Sequence, residues 1–330
     1  MAKHKNIAIL AGGNSSEEGI SLKGAAQITK WLSKTSYNVY TVLVKGTSWT
    51  LKHPEQGDFQ ISKDDFSATI NNEKILFDCA LIAIHGTPGE NGLLQGYFEM
   101  LDIPYTTGGV MNTSVTFNKF FCKELVQDTG VDLAKGSIIQ KGQVIDPSII
   151  AIHLGLPVFV KPNESGSSYG ISKVKTTEDI VPAITKALTE DNTVLVEEFI
   201  AGRELTCGIV KTANKEYIFP VTEIISKNEF FDYEAKYLNQ SVEVTPADIN
   251  DILSERIKII SSRIYDKLNC RGIVRIDYIY SNDKIYFLEI NTVPGMSEAS
   301  IIPQQVKAFG KDMDDIFSMV IEDAIAKKAK

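Results

Sequence analysis

The sequence predicts an α/β protein with a parallel α/β domain at its N-terminus and two smaller α+β units after it. A short apolar run at 7–11 ends in two glycines and leads into a helical stretch, which is how a parallel α/β domain begins. Near the C-terminus, 272–280 and 284–291 are rich in Ile, Val, Tyr and Phe and flank a polar turn, which indicates an antiparallel hairpin. At 330 residues the chain is too long for a single core, so two or three domains are expected.

The composition excludes several classes of protein. A hydrophobic content of 43% and a charged content of 23% are typical of a globular protein, and the net charge of −8 argues against broad nucleic-acid binding. The four cysteines are far apart and form no CxxC pair, so we expect reduced, mostly buried thiols. Neither a signal peptide nor a long apolar run is evident, so we expect a cytoplasmic protein without a membrane span.

Residues 1–107 are assigned to the N-terminal domain, with a helix at about 21–34 after the first strand. A second buried strand at 80–84 runs into a polar loop that begins at His85. Open α/β sheets bind ligands at the carboxyl ends of their strands, so His85 is a candidate ligand-binding residue. Alternatively, it is a turn residue that donates to the backbone. The glycines after the first strand lack GxGxxG spacing, so a dinucleotide-dependent oxidoreductase is not supported.

The central unit, 108–199, carries a lysine on a predicted helix, Lys119, and another at the end of a β-like run, Lys161. A loop at 163–170 follows, in which small hydroxylic residues between glycines leave backbone N–H groups available to a phosphate. Such a loop is more often a plain hairpin turn, and it is not a Walker A loop. Helices are predicted at 112–129 and 177–188, and strands at 156–162 and 194–197.

The last unit, 200–330, begins with strand-like residues and a polar, aromatic stretch at 228–239. A long helix is predicted at about 247–269, because apolar residues recur there every three or four positions, which is most simply core packing. The hairpin follows, and a terminal amphipathic helix begins at about 312.

The hairpin places three oxygen-bearing side chains on one face. If its turn centres near Asp283, Asp277 falls opposite Glu289, and both share a face with Asn291. Two facing carboxylates in an apolar sheet repel each other unless a cation lies between them. A small set of oxygen ligands suits Mg²⁺, which usually takes phosphate oxygens and waters as well. The alternative is a solvated hairpin face on which Arg275 is a surface ion partner.

Four blocks of sequence, in order between about 7 and 310, resemble those of the D-alanine–D-alanine ligases, which are ATP-grasp enzymes. The blocks are His85-Gly86 with Gly89-Glu90, Gly92 and Leu94-Gln95-Gly96; Lys161-Pro162 with Gly166-Ser167-Ser168; Tyr233-Glu234-Ala235-Lys236-Tyr237; and Arg275-Ile276-Asp277 with Glu289-Ile290-Asn291-Thr292 and Pro294-Gly295-Met296.

This resemblance implies a Rossmann-like parallel α/β domain followed by a two-lobed ATP-grasp fold, whose α+β lobes clasp ATP. It implies that two D-alanines are ligated to D-alanyl-D-alanine for peptidoglycan precursor synthesis. One D-alanine carboxylate would first be phosphorylated by ATP, and the amine of the second D-alanine would then attack the acyl phosphate. The resemblance also implies a homodimer and two Mg²⁺ ions, with Mn²⁺ as a possible substitute.

The resemblance assigns residues to the ATP and metal sites. Lys119 and Lys161 would neutralise the α- and β-phosphates, and Ser167 and Ser168 would cover the transferred phosphate. The adenine hinge and the remaining ATP contacts would be formed by Glu197, Glu198, Phe199, Ile200, Glu204, which accepts from the ribose, and Lys236. The metal ligands would be Asp277, Glu289 and Asn291.

The same resemblance assigns the substrate-binding and catalytic residues. Arg275 and the Gly295 N–H would hold the oxyanion of the tetrahedral intermediate, while Ser300 and the Ile301 N–H would bind the carboxylate of the second substrate. The remaining assignments are Glu17 and His85 at the first substrate, and Tyr237, which would bond to Ser167 and close over the site.

One position departs from the family. The family commonly has a Glu-x-Glu-Val-Ser-Leu block where this chain reads Glu17-Glu18-Gly19-Ile20-Ser21-Leu22. By this resemblance Gly19 stands at the position whose carboxylate usually holds the ammonium of the first D-alanine. Glu17 and Glu18, in the same turn, are the candidates to replace it.

Three other functions remain open at this level. A related ligase would use D-lactate or another amino acid as second substrate, but Lys236 and Tyr237 favour D-alanine, because depsipeptide-forming relatives often lack that tyrosine. A nucleotide-binding relative without catalysis has Gly19 as its only support. A Rossmann oxidoreductase would need the missing glycine fingerprint.

Overall fold

The computed structural model describes residues 4–164, 170–226 and 241–328. Within these ranges the strands form three sheets, of seven, four and six strands. The predicted site residues Ser167, Ser168, Lys236 and Tyr237 lie outside the described residues. None of the helices in the described ranges has both the length and the apolar character needed to cross a bilayer.

The N-terminal sheet is parallel at its centre and antiparallel on one side. The elements in order are β1 (Asn6–Gly12), α1 (Glu18–Leu32), β2 (Asn38–Lys45), β3 (Ser48–His53), β4 (Gly57–Ser62), β5 (Ser67–Ile70), β6 (Glu73–Leu76), β7 (Cys79–Ile82) and α2 (Leu93–Met100). Strand β1 pairs in parallel with β7, the second predicted strand, and with β2, which was not predicted. Strands β3 to β6 extend the sheet as hairpins, which the prediction of a purely parallel domain omitted. Their tight turns use Gly46 and the pair Asn71 and Asn72, all at positive φ.

The central unit is an antiparallel sheet of order β10-β9-β11-β8 with helices beside it. Its elements are α3 (Val110–Phe117), α4 (Lys119–Val126), β8 (Gly136–Gln140), α5 (Pro147–Leu154), β9 (Val158–Pro162), β10 (Ser172–Val174), α6 (Ile180–Ala187) and β11 (Thr193–Glu198). The single helix predicted at 112–129 is therefore wrong. The chain breaks at Asn118, whose side chain caps α4 by accepting from Phe121 N at 3.0 Å. Because of this break, Lys119 is the first residue of α4.

The C-terminal sheet has the order β15-β14-β12-β16-β17, with β13 paired to β12. Its elements are β12 (Arg203–Lys211), β13 (Glu216–Ile218), β14 (Thr222–Ser226), β15 (Ser241–Val244), α7 (Asp251–Lys267), β16 (Gly272–Ser281), β17 (Lys284–Asn291), α8 (Ile301–Ala308) and α9 (Met313–Lys328). The predicted apolar stripe of α7 is buried with Val274, Ile276 and Tyr278 of β16 in one core cluster, which confirms it as core. The other face of this sheet carries the polar residues considered next.

Candidate active site

The β16–β17 hairpin has the register that the sequence predicts. Asp277 pairs with Glu289 and Arg275 with Asn291, and a two-residue turn at Asn282 and Asp283, both at positive φ, joins the strands. Asp277 is only 3% exposed. The alternative of a solvated hairpin face is therefore wrong at Asp277.

Four donors surround the Asp277 carboxylate. Arg275 donates through Nε to Oδ1 at 2.8 Å and through Nη2 to Oδ2 at 2.7 Å. Thr206 Oγ1 donates to Oδ1 at 2.5 Å, and Asn291 Nδ2 donates to Oδ2 at 3.0 Å. Burial opposes the charge of Arg275, but Asp277, Glu289 and other acids outweigh burial and raise the pKa of Arg275 above its ordinary value. The guanidinium therefore remains charged and oriented on the cleft face of the sheet.

The donor set at this hairpin fits a hard divalent cation. Two facing carboxylates, Asp277 and Glu289, lie beside Asn291, whose amide nitrogen donates to Asp277 and whose amide oxygen is a hard ligand atom. In the part of the chain that the structure describes, no group of three or more His, Cys, Asp and Glu side chains could hold a metal alone. A metal here thus needs further oxygen ligands, which suits Mg²⁺ and phosphate oxygens.

A second charged cluster lies on the central unit. Glu197 of β11 forms ion pairs with Lys161 of β9 through Oε2 and with Lys123 of α4 through Oε1, and all three side chains are buried. Lys123 was not predicted. The signal that could have found it is its spacing from Lys119, since residues four apart share a helix face.

The lysines in this cleft oppose one another's protonation. Burial, together with the charge of Lys119, lowers the pKa of Lys161 to about 8, and Glu289 opposes this shift. Burial and the charge of Lys161 also lower the pKa of Lys123 well below its ordinary value. Three lysines near one carboxylate favour binding of an anion such as a chain of phosphates. Lys161 lies on the sheet of the central unit and Glu289 on the C-terminal sheet, and their charges interact. The cleft therefore lies between these two units.

Backbone contacts fix the residues on either side of the lysine cluster. The Lys119 N–H donates to Asn163 O at 3.1 Å, which sets the start of α4 against the end of β9. Glu198 exchanges backbone and side-chain bonds with Lys135, and Phe199 N donates to Pro157 O at 3.1 Å.

The other two residues predicted at the ATP site flank this segment. Ile200 follows β11 and is half-buried. Glu204 lies on β12, paired with Ile279 of β16, on the face that also carries Thr206. The segment 197–200 thus lies beside the lysine cluster, and Glu204 lies beside the hairpin.

The loop after β7 brings three acidic or titratable groups together. Glu17 and His85 are each 8% exposed, and the two interact. Burial lowers the pKa of His85, while the Glu17 charge opposes this shift. Glu90, also not predicted as a site residue, accepts from Gly86 N at 2.8 Å and from Val293 N at 3.1 Å. Burial and the Glu17 charge raise the pKa of Glu90 to about 7. Glu90 thus joins the His85 loop to the loop after β17.

The three consecutive positions 17–19 have different surroundings. Helix α1 begins at Glu18, one turn earlier than predicted, and Glu17 precedes it at the cleft. Glu18 pairs with Lys45 on the surface, with 2.9 Å between Nζ and Oε2. Gly19 is exposed, and a Cβ built there would meet nothing within 4 Å. A carboxylate at position 19 would therefore face solvent, and Glu17 is the acid that lies beside His85.

The loop from 292 to 300 places Gly295 next to Ser300. Ser300 is the N-cap of α8, and its hydroxyl accepts from Ser297 N at 3.0 Å. A Cβ on Gly295 would lie 3.1 Å from Ser300 Oγ, so the absence of a side chain permits this close approach. Ile301 begins α8 and is 6% exposed. Gly295, which is predicted at the oxyanion, thus lies next to Ser300 and Ile301, which are predicted at the second substrate.

Two family models and several known proteins match the chain over most of its length. Residues 6–108 match the family described as D-ala D-ala ligase N-terminus, and residues 125–322 match the D-ala D-ala ligase C-terminus. The chain is 48% identical over 320 residues to a D-alanine–D-alanine ligase of Phocaeicola vulgatus, covering 97% of this chain and 99% of that protein. It is 47% identical over 325 residues to one of Parabacteroides distasonis, covering 98% of each.

Solved structures show the same fold over nearly the whole chain. D-alanyl-alanine synthetase A of Vibrio cholerae superposes with a TM-score of 0.88 at 28% identity, covering 99% of this chain and all of that one. The VanG D-Ala:D-Ser ligase of Enterococcus faecalis superposes with a TM-score of 0.84 at 26% identity, covering 99% of this chain and 100% of that chain. The resemblance and the ATP-grasp fold predicted from the sequence are confirmed. The chain belongs to the D-alanine–D-alanine ligase family.

Proposed function

We propose that this protein joins two D-alanines to D-alanyl-D-alanine at the expense of ATP, for peptidoglycan precursor synthesis in the cytoplasm, where ATP is available. The observation that carries the proposal is the Arg275–Asp277 pair, which lies opposite Glu289, the carboxylate whose charge also acts on Lys161. A protein that only bound nucleotide would have no use for a buried arginine between an anion cleft and a second subsite.

In the first step, a carboxylate oxygen of one D-alanine attacks the terminal phosphorus of ATP, and the bond from that phosphorus to ADP breaks as ADP leaves. Lys119 and Lys161 neutralise the phosphates, and the segment Glu197, Glu198, Phe199 and Ile200 receives the adenine, with Glu204 at the ribose. Asp277, Glu289 and Asn291 would hold two Mg²⁺ or Mn²⁺ ions, which when bound neutralise charge on the transferred phosphate. The free carboxylate thereby becomes an acyl phosphate with a good leaving group.

In the second step, the neutral amine of the second D-alanine attacks the acyl carbon, the C–O bond to phosphate breaks as inorganic phosphate leaves, and the nitrogen loses a proton as the amide forms. Arg275 and the Gly295 N–H stabilise the oxyanion, and one such donor contributes about 3–4 kcal/mol. Ser300 and the Ile301 N–H hold the carboxylate of the second substrate, at the positive end of α8.

The remaining residues are assigned to binding of the first D-alanine and to covering the active site. Glu17 and His85 orient the first D-alanine, whose ammonium bonds to the Glu17 carboxylate. Ser167 and Ser168 cover the phosphate, and Lys236 and Tyr237 close over it, which would exclude water that hydrolyses the acyl phosphate.

Phosphate release from ATP, with and without D-alanine, tests this function. We expect release that depends on D-alanine and matches the dipeptide formed. Nucleotide binding without D-alanine-dependent release would instead favour a non-catalytic relative.

D-serine and D-lactate belong in the same assay as second substrates, because the similar VanG structure is described as a D-Ala:D-Ser ligase. If D-serine or D-lactate outcompeted D-alanine at equal supply, the protein would instead be assigned as a related ligase that uses that second substrate.

We further propose three domains, 1–107, 108–199 and 200–330, and a homodimer. The three sheets fall within these ranges, since β11 ends at Glu198 and β12 begins at Arg203. An apolar patch on the adjacent helices α2 and α3 is exposed, formed by Leu93 at 61%, Met100 at 81%, Val110 at 36% and Met111 at 76%. Apolar patches of this kind mark interaction surfaces, and a second copy of the chain is the proposed occupant.

Light scattering tests the dimer. We expect the mass of two chains for the wild type and of one chain for Met111→Glu, because a charge within the patch would have to be desolvated. Ile252→Glu is the matched control, since Ile252 on α7 is also 76% exposed but lies outside the patch. A wild-type mass of one chain, or a Met111→Glu protein that remains dimeric, would contradict this surface.

A further inference from the structure

One further acidic residue, Glu243, lies on the face of the C-terminal sheet that carries Asp277. Glu243 of β15 pairs with Ile224 of β14, and Ile224 pairs with Glu204 of β12. Directly paired residues point to the same face of a sheet, as do residues two apart on one strand. Glu204 and Thr206 therefore share this face, and Thr206 Oγ1 donates to Asp277. Glu243 projects from the same face at the edge of the sheet.

Helix α8 packs across this face and is fixed there by Gln305, which is fully buried. Its Nε2 donates to Thr206 O at 3.1 Å and to Thr222 Oγ1 at 3.0 Å, while its Oε1 accepts from Gly208 N at 3.0 Å. A Cβ on Gly208 would approach Gln305 Oε1 to 2.4 Å, so only glycine permits this contact. The start of α8, with Ser300, is thus held in a defined place over the sheet.

The neighbouring glutamine connects Glu243 to the start of α8. Gln304 Nε2 donates to Glu243 Oε2 at 2.7 Å and to Ala299 O at 2.8 Å. Ala299 directly precedes Ser300, which is the proposed ligand of the second substrate's carboxylate. Two short contacts through a single nitrogen therefore connect the Glu243 carboxylate to Ala299, the residue before the second subsite.

Within the described ranges, no lysine or arginine side chain is bonded to the Glu243 carboxylate. Among the residues that the structure describes, Gln304 is its hydrogen-bond donor, and an amide adds no charge. Arg275 acts on Glu243 electrostatically, but its guanidinium is bonded to Asp277. Glu243 is half-buried, so its field is screened less than that of a surface carboxylate.

We infer that Glu243 is a specificity-determining residue of the second subsite, which favours an amino acid over a 2-hydroxy acid. An amino acid enters with an ammonium group as well as its carboxylate, and the ammonium is attracted to Glu243 before it loses a proton and becomes the attacking amine. A 2-hydroxy acid such as D-lactate brings the carboxylate alone and is repelled. The inference rests on the proposed function, because it takes Ser300 and Ile301 as the carboxylate-binding residues.

The test compares Glu243→Gln with the wild type under equal supply of D-alanine and D-lactate, with ATP. We expect the ratio of D-alanyl-D-lactate to D-alanyl-D-alanine to rise about fivefold to tenfold. We also expect the KM of the second D-alanine to rise by a similar factor while the KM of the first is unchanged. Because the ratio is measured within one sample, it does not depend on how much of the variant is folded.

Glu223→Gln is the matched control. It removes the same charge from the neighbouring strand β14, but Glu223 faces the other side of the sheet and pairs with Arg203 at 2.7 Å. Equal product ratios and KM values for wild type, Glu223→Gln and Glu243→Gln would overturn the inference. Ser300→Ala separates this failure from that of the site itself. A raised second KM in Ser300→Ala would retain the proposed subsite, whereas an unchanged one would overturn both.

Discussion

Glu289→Gln is expected to abolish ligation and to leave the fold intact. Glu289 lies directly opposite Asp277 in the β16–β17 register, so the substitution removes one of two facing anions. In the absence of metal this relieves repulsion, while in its presence it removes a charged oxygen ligand. D-alanine-dependent ADP formation across a Mg²⁺ titration measures the loss, and thermal unfolding measures the stability.

Asp283→Asn is the control for this change. Asp283 belongs to the same hairpin, but it lies in the turn, its side chain is 81% exposed, and it pairs with Arg256 on the surface. We expect this variant to retain wild-type turnover. If Glu289→Gln also turned over normally at limiting Mg²⁺, Glu289 would be removed from the metal site.

Glu17→Gln is expected to raise the KM of the first D-alanine about tenfold to a hundredfold. A hydrogen bond to a charged group is worth roughly 1.5–3 kcal/mol, and the neutral amide would lose most of that stabilisation toward an ammonium. Initial rates at varied D-alanine, with the two KM values resolved, measure the effect. The KM of ATP should not change, because Glu17 lies beside His85 and not in the lysine cluster.

Glu18→Gln is the matched control, since Glu18 is the next residue and pairs with Lys45 on the surface. We expect its first-substrate KM to equal that of the wild type. Equal values for both variants would show that groups elsewhere hold the ammonium, and the assignment of Glu17 would then fail.

The hairpin was predictable because its determinants are local. Alternation of side chains and a two-residue polar turn at Asn282 and Asp283 fix which residues face each other. The same local signals predicted β1, β7 and the apolar stripe of α7. The break at Asn118 was missed, although Asn is a favourable N-cap, because the apolar periodicity continues across it.

Lys123 and Glu90 were missed for a different reason. A lysine on an amphipathic helix is usually solvated, and only the packing of α4 against β11 shows that Lys123 is buried beside Glu197. Glu90 likewise acquires its role from Val293, which is remote in sequence and brought close by the fold. Burial of a charge and its partner is tertiary information, which local patterns do not contain.

The surroundings of position 19 were misjudged because the predicted start of helix α1 was too late. The sequence predicted that α1 begins at about 21, whereas it begins at Glu18 with Glu17 before it. Near a helix start, positions two apart point in nearly opposite directions, because each residue turns by about 100°. Glu17 therefore lies at the cleft while Gly19 is on the exposed side.

The central claim is that ATP activates the carboxylate of the first D-alanine as an acyl phosphate. The most direct measurement supplies D-alanine whose carboxylate oxygens are a heavy isotope and analyses the released phosphate by mass spectrometry. The account predicts that one heavy oxygen moves to phosphate for each D-alanyl-D-alanine formed, because the attacking carboxylate oxygen leaves with the phosphate. Release of unlabelled phosphate alongside the dipeptide would contradict it.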